Sequence, residues 1–332
     1  MPGATARSIV LLALVSLLGL VCPASAQVPV AAGWLAGELG EVPFRADYRF
    51  TLFPDEPVSG QDTDLGYLQH ELWVSGPIWQ DTRNEWTAAS SLRVQDFSTG
   101  ARLGDGIRPF PDQLWYVSIG GTYRHRFENG WIGGLNVTVI SPSDKPFDSW
   151  DEITLNSTAF LRVPHGERNA WLFLLNYSNT REFLPGIPLP GVAYLYQPSD
   201  RFQLVIGVPA ALTYTPWDPV TLSLFYAPLT NIRARVTYRL PWAAELFVAY
   251  AWEHETYFLA DRARDDDRFF YYDQRVSAGV RLGPWRGLRL ELAGGYAFDR
   301  FYFEGESYAD RHLNRLDVGS GPFVSARVDF RF

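Results

Sequence analysis

Apolar and polar residues alternate one by one along most of the chain after residue 43. Segment 232–240, for example, places Ile, Ala, Val, Tyr and Leu at every second position, with arginine or threonine between them. Successive side chains of a β-strand point to opposite faces, so this period of two predicts strands. Prolines fall at the segment edges, where a residue that cannot donate to a β-ladder fits best. The pattern predicts an all-β chain.

Sixteen candidate strands are predicted between residues 44 and 332. The three between residues 192 and 215 are shorter than the about 9–11 residues that cross a bilayer, so merging of some is also considered. The expected fold is an antiparallel up-and-down transmembrane β-barrel of about 12–16 strands.

The lengths of the links between strands support a barrel and give its orientation. Links such as 164–169 and 241–243 are short, whereas 96–113 and 259–268 are long, and the two kinds fall at opposite ends. Short periplasmic turns and longer extracellular loops are typical of barrels in the bacterial outer membrane. We therefore expect the long loops outside the cell.

The first residues have the pattern of an export signal. Arg7 precedes the apolar run 9–20, and the Ala-Ser-Ala triplet at 24–26 provides small residues for cleavage before Gln27. The apolar run is shorter than the ~20 residues of a membrane-spanning helix. Cys22 leaves a lipoprotein as the alternative, although the preceding Val21 is not small.

The expected organisation follows from that cleavage point. It comprises a signal peptide at 1–26, a periplasmic N-terminal segment at 27–43 and an outer-membrane β-barrel at 44–332.

Alternation also fits a soluble β-sandwich, whose apolar face packs on a core instead of lipid. The positions of the aromatic residues favour the barrel, because those on the apolar faces cluster near strand ends, as in an interfacial girdle. The predicted girdle residues are Tyr123, Trp131, Tyr250, Trp252, Phe270, Tyr272, Tyr296 and Phe298.

The polar faces of the last strands carry arginines and carboxylates. If the turn at 241–243 is tight, Arg239 lies opposite Glu245 as a favourable cross-strand pair. On a sandwich these residues would be ordinary solvated charge, whereas in a barrel they line the lumen. The predicted lumen-lining residues are Arg233, Arg235, Arg239, Glu245, Glu253, Arg275, Arg289, Glu291, Arg327 and Asp329.

Charge and composition exclude several classes of protein. The chain has 29 Lys+Arg against 37 Asp+Glu, a formal net charge of −8, which argues against a nucleic-acid partner. One cysteine excludes a disulfide framework. The expected partners are outer-membrane lipid, lipopolysaccharide and the barrel assembly machinery, and the oligomeric state is left open.

Candidate chemistry is sparse. The five histidines form no metal-binding spacing, so neither a metal nor a cofactor is expected. His254 lies between Glu253 and Glu255 near the outer end of its strand, the only arrangement that suggests a barrel hydrolase. A strand sends adjacent residues to opposite faces, so no catalytic residues are assigned and an enzyme is not expected.

The last strand resembles the terminal signal by which the assembly machinery of Gram-negative bacteria recognises outer-membrane proteins. Val324, Ala326 and Val328 share one face with Phe330 and the terminal Phe332. We assign Phe330 and Phe332 to this assembly signal.

A wider resemblance rests on strand-and-turn motifs in the middle of the chain. Segments 189–196 (LPGVAYLY), 202–209 (FQLVIGVP) and 225–228 (FYAP) are similar to an uncharacterised family of Gram-negative outer-membrane β-barrel proteins. The resemblance covers about residues 44–332 and implies location and fold, but no site residues.

Three functions remain open at this point. The leading hypothesis is a passive channel or transporter for small solutes, because a barrel of twelve or more strands has room for a lumen. The alternatives are a structural or binding barrel with a closed, salt-bridged lumen and, third, an outer-membrane barrel hydrolase. Loops 96–113 and 304–320 are candidates to fold inward as a constriction.

Overall fold

The computed structural model describes residues 37–227 and 231–332, and these form one closed antiparallel β-barrel. The predicted signal peptide at 1–26 lies outside the described residues. Within the described part of the chain, no helix is long and apolar enough to cross a bilayer. The strands, in chain order, are β1 (Arg45–Pro57), β2 (Asp64–Gln80), β3 (Asn84–Thr99), β4 (Gln113–Arg126), β5 (Ile132–Ser143), β6 (Thr154–His165), β7 (Asn169–Ser178), β8 (Leu189–Ser199), β9 (Phe202–Ile206), β10 (Ala210–Trp217), β11 (Val220–Ala227), β12 (Asn231–Leu240), β13 (Ala244–Tyr257), β14 (Arg268–Trp285), β15 (Leu288–Gly305), β16 (Leu316–Val318) and β17 (Gly321–Arg331).

Consecutive strands pair around the wall, and pairing of β1 with β17 closes it, with Arg45 opposite Arg331 and Leu52 opposite Val324. The short β16 and the last strand β17 both pair with β15 and occupy one place in the wall, so the barrel has sixteen strands. The predicted all-β barrel is confirmed at the upper limit of its expected strand number, and the three short segments between 192 and 215 are separate strands.

The two ends of the barrel differ. The turn end contains the first residue of β1, Arg45, and the last residue of β17, Arg331. It also contains tight links such as 200–201 and 241–243. The loop end carries the long links, among them 100–112 and 258–267. The predicted sorting of loop lengths is confirmed with two exceptions: at the loop end, only three residues separate β9 from β10 and β11 from β12.

The strands differ in length, so the wall is uneven in height. Strands β9, β10 and β11 have 5, 8 and 8 residues, whereas β14 and β15 have 18 each. At the loop end the tall side closes on itself, because Ser143 at the end of β5 forms a parallel bridge with Phe258, just after β13. The Phe258 N–H donates to the Pro142 carbonyl at 2.8 Å.

The outer surface of the wall is apolar and exposed. Ile119, Val248 and Leu292 are 64%, 60% and 59% exposed, and their strand neighbours on the same face are also apolar. Isolated exposed apolar residues are common on soluble proteins, but a continuous band of them indicates contact with lipid. The barrel interpretation of the alternation is therefore favoured over a sandwich.

Inside the loop end, a hydrophobic core fills the lumen. Rings from strands on both sides of β17 meet there, including Phe53 of β1, Tyr67 of β2, Phe269 of β14 and Tyr302 of β15. Loop 100–112 folds inward and adds buried side chains to this core, as expected for one of the two candidate constriction loops.

The other candidate is segment 304–320, in which the observed loop comprises residues 306–315. This loop packs on the outside of the wall instead. Tyr308 covers outward-facing rings of β14 and β15, and Phe270 and Tyr272 are 0% and 8% exposed. The assignment of these two residues to an exposed lipid girdle is therefore wrong. Strands β14 and β15 are long enough to extend beyond the band that lipid would cover. The loop therefore shields the apolar residues at their outer ends.

The other predicted girdle residues have varied surroundings. Tyr296 and Trp131 are 46% and 39% exposed, whereas Tyr123, Tyr250 and Phe298 are half-buried. Trp252 is half-buried against the cluster that Tyr308 covers.

Candidate functional site: the lumen cavity

Below the hydrophobic core, toward the turn end, the lumen contains a cavity of about 920 Å³. It extends from Phe225 and Arg275 to Arg45 and Arg331 at the turn end. A volume of this size holds a small organic molecule with surrounding water.

The charge of the cavity is opposite to that of the chain. Nine arginines and five carboxylates line it, an excess of four positive charges, while the whole chain has a formal net charge of −8. The charged lining residues are Arg45, Asp47, Arg49, Glu71, Arg93, Arg162, Arg233, Arg235, Glu253, Arg275, Glu291, Arg327, Asp329 and Arg331.

Ion pairs hold many of these arginines in place. Arg233 donates to Glu253 at 2.9 Å, and Arg235 donates to Glu291 at 2.8 Å. The Arg235 guanidinium carbon also lies 3.6 Å from the centroid of the Phe247 ring, so stacking fixes its orientation. Arg327 donates to Asp47 at 2.6 Å across the β1–β17 closure.

A buried polar layer separates the cavity from the hydrophobic core. Arg93 on β3 pairs with Glu71 at 2.7 Å and, across the lumen, with Glu255 on β13. The hydroxyl oxygens of Tyr67 and Tyr271 lie 2.7 Å apart, which joins β2 to β14. Such cross-lumen contacts tie the tall half of the wall together.

The structure brings seven of the ten predicted lumen residues to this cavity. They are Arg233, Arg235, Glu253, Arg275, Glu291, Arg327 and Asp329. Arg289 lies in a small side cleft of about 70 Å³ that it shares with Arg281 and Arg327.

The predicted pair of Arg239 and Glu245 does not form. The two residues are register partners, as expected from a tight turn at 241–243. However, the Glu245 carboxylate lies 3.5 Å from Arg281, and Arg239 is exposed at the turn end, where water solvates it. Arg239 is therefore a rim residue and not part of the cavity lining.

Sequence reasoning missed several lining residues. Arg45, Asp47 and Arg49 of β1 and Arg331 of β17 line the cavity but are absent from the predicted set. Their position in the alternating pattern was a sufficient signal, because they occupy the same polar faces as residues that were selected.

The strands on one side of the wall present no charged side chain to the lumen, although Arg181, in the link after β7, is buried against Asn176 of β7. The inward residues of β7–β11 are aliphatic, aromatic or neutral polar, in contrast to the neighbouring arginines of β6 and β12. Leu195, Val205, Ala211 and Phe225 are the apolar members that line the cavity. The lumen thus has a neutral wall and an arginine-rich wall.

The candidate hydrolase residues are divided between the two sides of the wall. Glu253 faces the cavity, and Glu255 belongs to the polar layer above it. His254 points outward, where its ring stacks on Phe270 and meets Tyr308 edge-on at 4.9 Å between centroids. The histidine ring and the two carboxylates therefore lie on opposite sides of the wall.

The end of the N-terminal segment, residues 37–43, lies against the inner wall at the turn end. The Gly40 N–H donates to Glu85, which itself pairs with Arg124 at 2.7 Å. The Val42 N–H donates to the Gln80 side chain at 3.0 Å, and Leu39 is buried. The segment therefore narrows the turn-end opening beside β2–β4.

Loop 100–112 closes the other end, and Asp105 organises its turn. Burial would raise the pKa of the Asp105 carboxyl, but hydrogen bonds from the Arg108 guanidinium and from the backbone N–H groups of Ile107 and Arg108 hold that pKa below its usual value. Arg108 also pairs with Glu304 of β15. Phe110 then packs with its ring centroid 4.9 Å from that of Tyr302 and 5.6 Å from that of Phe269.

No family model matches the chain, and no curated protein matches it in sequence. Among solved structures, it is similar to an outer membrane channel from Pseudomonas putida F1, with 12% identity, a TM-score of 0.38 and coverage of 88% of this chain and 95% of that one. Pseudomonas aeruginosa OccK7 gives 10% identity, a TM-score of 0.40 and coverage of 88% and 99%. The Pseudomonas putida toluene transporter TodX gives 9% identity, a TM-score of 0.34 and coverage of 87% and 89%.

Proposed function

We propose that the protein is an outer-membrane transporter or gated channel that takes small anionic solutes into its lumen. The observation that carries this proposal is the excess of arginine in a cavity of about 920 Å³ inside a chain of net charge −8. A charge of this sign concentrates anions locally and opposes the entry of cations.

The outer-membrane location rests on features of the chain itself. The barrel exposes an apolar band, its links sort by length between the two ends, and its last strand is followed directly by Phe332, which is 73% exposed. Together with the export pattern at 1–26, these features support a barrel whose turn end faces the periplasm.

The gating part of the proposal follows from the filled loop end. A freely open pore is incompatible with the packing of loop 100–112 between the rings of β14 and β15. Passage of a solute therefore requires this loop to leave the core. The polar layer beneath it already supplies hydrogen-bonding groups along the path.

A second candidate is a structural barrel whose lumen never opens. The specific observation that favours it is the cross-lumen network of Arg93, Glu71 and Glu255 directly below a closely packed core. Paired buried charges of this kind hold a fold in one arrangement but give no path to solutes.

Conductance in a planar bilayer distinguishes the two candidates. Phe110→Ala removes the ring that the loop inserts into the core, and Ile107→Ala alters an exposed residue, 74% exposed, of the same loop. We expect little steady conductance from the unaltered protein and from Ile107→Ala, and frequent anion-carrying openings from Phe110→Ala.

The second candidate gives a different result. A Phe110→Ala protein that folds, as judged by heat-modifiable mobility, but stays silent would favour the structural barrel. A large, permanently open conductance of the unaltered protein would contradict the proposed closure.

A further inference from the structure

We propose that the cavity binds organic monoanions that have an apolar body, such as aromatic carboxylates. Their anionic group would lie at Arg233 and Arg235, and their apolar part would lie on the β8–β11 portion of the neutral wall. This inference narrows the solute class of the proposed function and uses the same cavity.

The first argument is a continuous apolar row across four strands. Leu195 pairs in register with Val205, Val205 with Ala211, and Ala211 with Phe225. All four residues line the cavity. Leu195, Val205 and Phe225 are mostly buried, and Leu195, Val205 and Ala211 pack in one hydrophobic cluster, so only their inner edges reach the cavity. These edges form an apolar surface on which an apolar group of a ligand can leave water.

The second argument is that this row ends at an arginine. Phe225 is the register partner of Arg233 on β12, so the last apolar side chain and the guanidinium are neighbours on one face. A ligand in contact with both spans only two adjacent strands, which lie about 4.8 Å apart.

The third argument is the row beside it. Gln203, Thr213 and Ser223 are successive register partners, and Ser223 is the partner of Arg235. The hydroxyl and amide N–H groups of this row can donate hydrogen bonds to a carboxylate without adding charge. Apolar and polar contacts thus run in parallel toward the same pair of arginines.

The arginines retain capacity for a ligand. Arg233 uses one nitrogen for Glu253 and is 27% exposed in its side chain, and Arg235 is 21% exposed. A guanidinium has five donor hydrogens, so one carboxylate partner does not saturate it. The lining has an excess of four positive charges, and an excess of two remains when the buried partners Glu255 of Arg93 and Asp273 of Arg275 are counted. This excess favours an added anion over an added cation.

Competing ligand classes fit less of the site. An inorganic anion would contact the arginines but make no contact with the cavity-facing edge of the apolar row. An apolar cation would match the row but meet the arginines. Only a molecule that joins an anion to an apolar body uses both walls.

Equilibrium binding to the purified full-length protein tests this inference, with benzoate, acetate and benzylamine as probes. These small, soluble compounds share either the charge or the ring and differ in the other. We expect benzoate to bind roughly tenfold more tightly than acetate, because its ring leaves water. We expect no saturable binding of benzylamine.

Variants locate the site. Phe225→Ser and the shape-conserving Val205→Thr should each weaken benzoate binding severalfold and leave acetate binding unchanged, whereas Phe225→Leu should retain it. Arg233→Gln should weaken both anions. Arg201→Gln is the control, because Arg201 is exposed at the turn end and pairs with Asp218 away from the cavity. Each variant is first shown to fold by heat-modifiable mobility.

Equal affinity for benzoate and acetate, or saturable benzylamine binding, would overturn the inference. Anion flux through liposomes that contain the Phe110→Ala protein, measured in parallel, separates this failure from failure of the proposed function. Flux without preferential benzoate binding would indicate a transporter of simple anions. Benzoate binding without flux would indicate a barrel that binds a ligand but does not transport it.

Discussion

Ser143, the last residue of β5, and Phe258, the first residue after β13, form a parallel β-bridge at the loop end of the barrel. This bridge bypasses β6–β12, so the mouth of the barrel is enclosed by fewer strands than its body. The smaller mouth is narrow enough for rings from β1, β2, β14 and β15 to fill. The wider body below it retains the cavity.

The orientation of the barrel is open to a direct test. A protease site inserted between Asp265 and Asp266, in the exposed part of loop 258–267, should be cut in whole cells. A site inserted at 241–243, in a tight turn at the opposite end, should be cut only after the cells are lysed. Cleavage at 241–243 in intact cells would reverse the orientation.

Acid should loosen the outer closure. The depressed pKa of Asp105 means that its hydrogen bonds stabilise loop 100–112 above the usual carboxyl pKa of about 3.9 and are lost as pH falls through the lower folded value. Channel openings should therefore become more frequent when the loop side is acidified below about pH 4.

Two substitutions assign that response. Asp105→Asn should raise the opening frequency at neutral pH and reduce its pH dependence, while Asp266→Asn, in an exposed loop, should behave as the unaltered protein. Glu304 also pairs with Arg108. If the acid response of Asp105→Asn is unchanged, protonation of Glu304, and not of Asp105, causes it.

The terminal phenylalanine should matter for assembly. Phe332 lies on the outer face, with its ring centroid 4.0 Å from that of Phe330 and 5.4 Å from that of Phe44 at the closing strand pair. Deleting Phe332 should lower the folded fraction in the outer membrane, measured by heat-modifiable mobility, and Phe332→Tyr should largely preserve it. If the deletion gives the normal folded yield, the terminal pattern is only a strand end.

Much of the fold was predictable because its signal is local. The period of two identifies strands and assigns faces without knowledge of their partners. It predicts one shared face for Arg233, Arg235 and Glu253, and these residues line the cavity. The same rule fails after a bulge: Asp299 has a φ of 52°, the β14–β15 register shifts there, and Phe301 then faces outward.

Other features depend on contacts between distant residues. Nothing local indicates that Tyr308 would cover Phe270, or that Arg93 would pair with Glu255 across the lumen. The sequence shows that the inward positions of β7–β11 are uncharged. Only the closed barrel shows that this neutral wall and the arginine-rich strands line the same lumen. Cross-lumen pairing and loop docking therefore had to come from the structure.

The reversal potential of the opened barrel in a salt gradient tests the central claim, that lumen arginines select for anions. In a Phe110→Ala background, we expect anion selectivity, and Arg233→Ser with Arg235→Ser should shift the reversal potential toward cations while Arg201→Ser does not. Both arginines lie on the cavity face, where their charge acts on a passing ion. Cation selectivity of the Phe110→Ala barrel, or a reversal potential unaffected by loss of both arginines, would contradict the account.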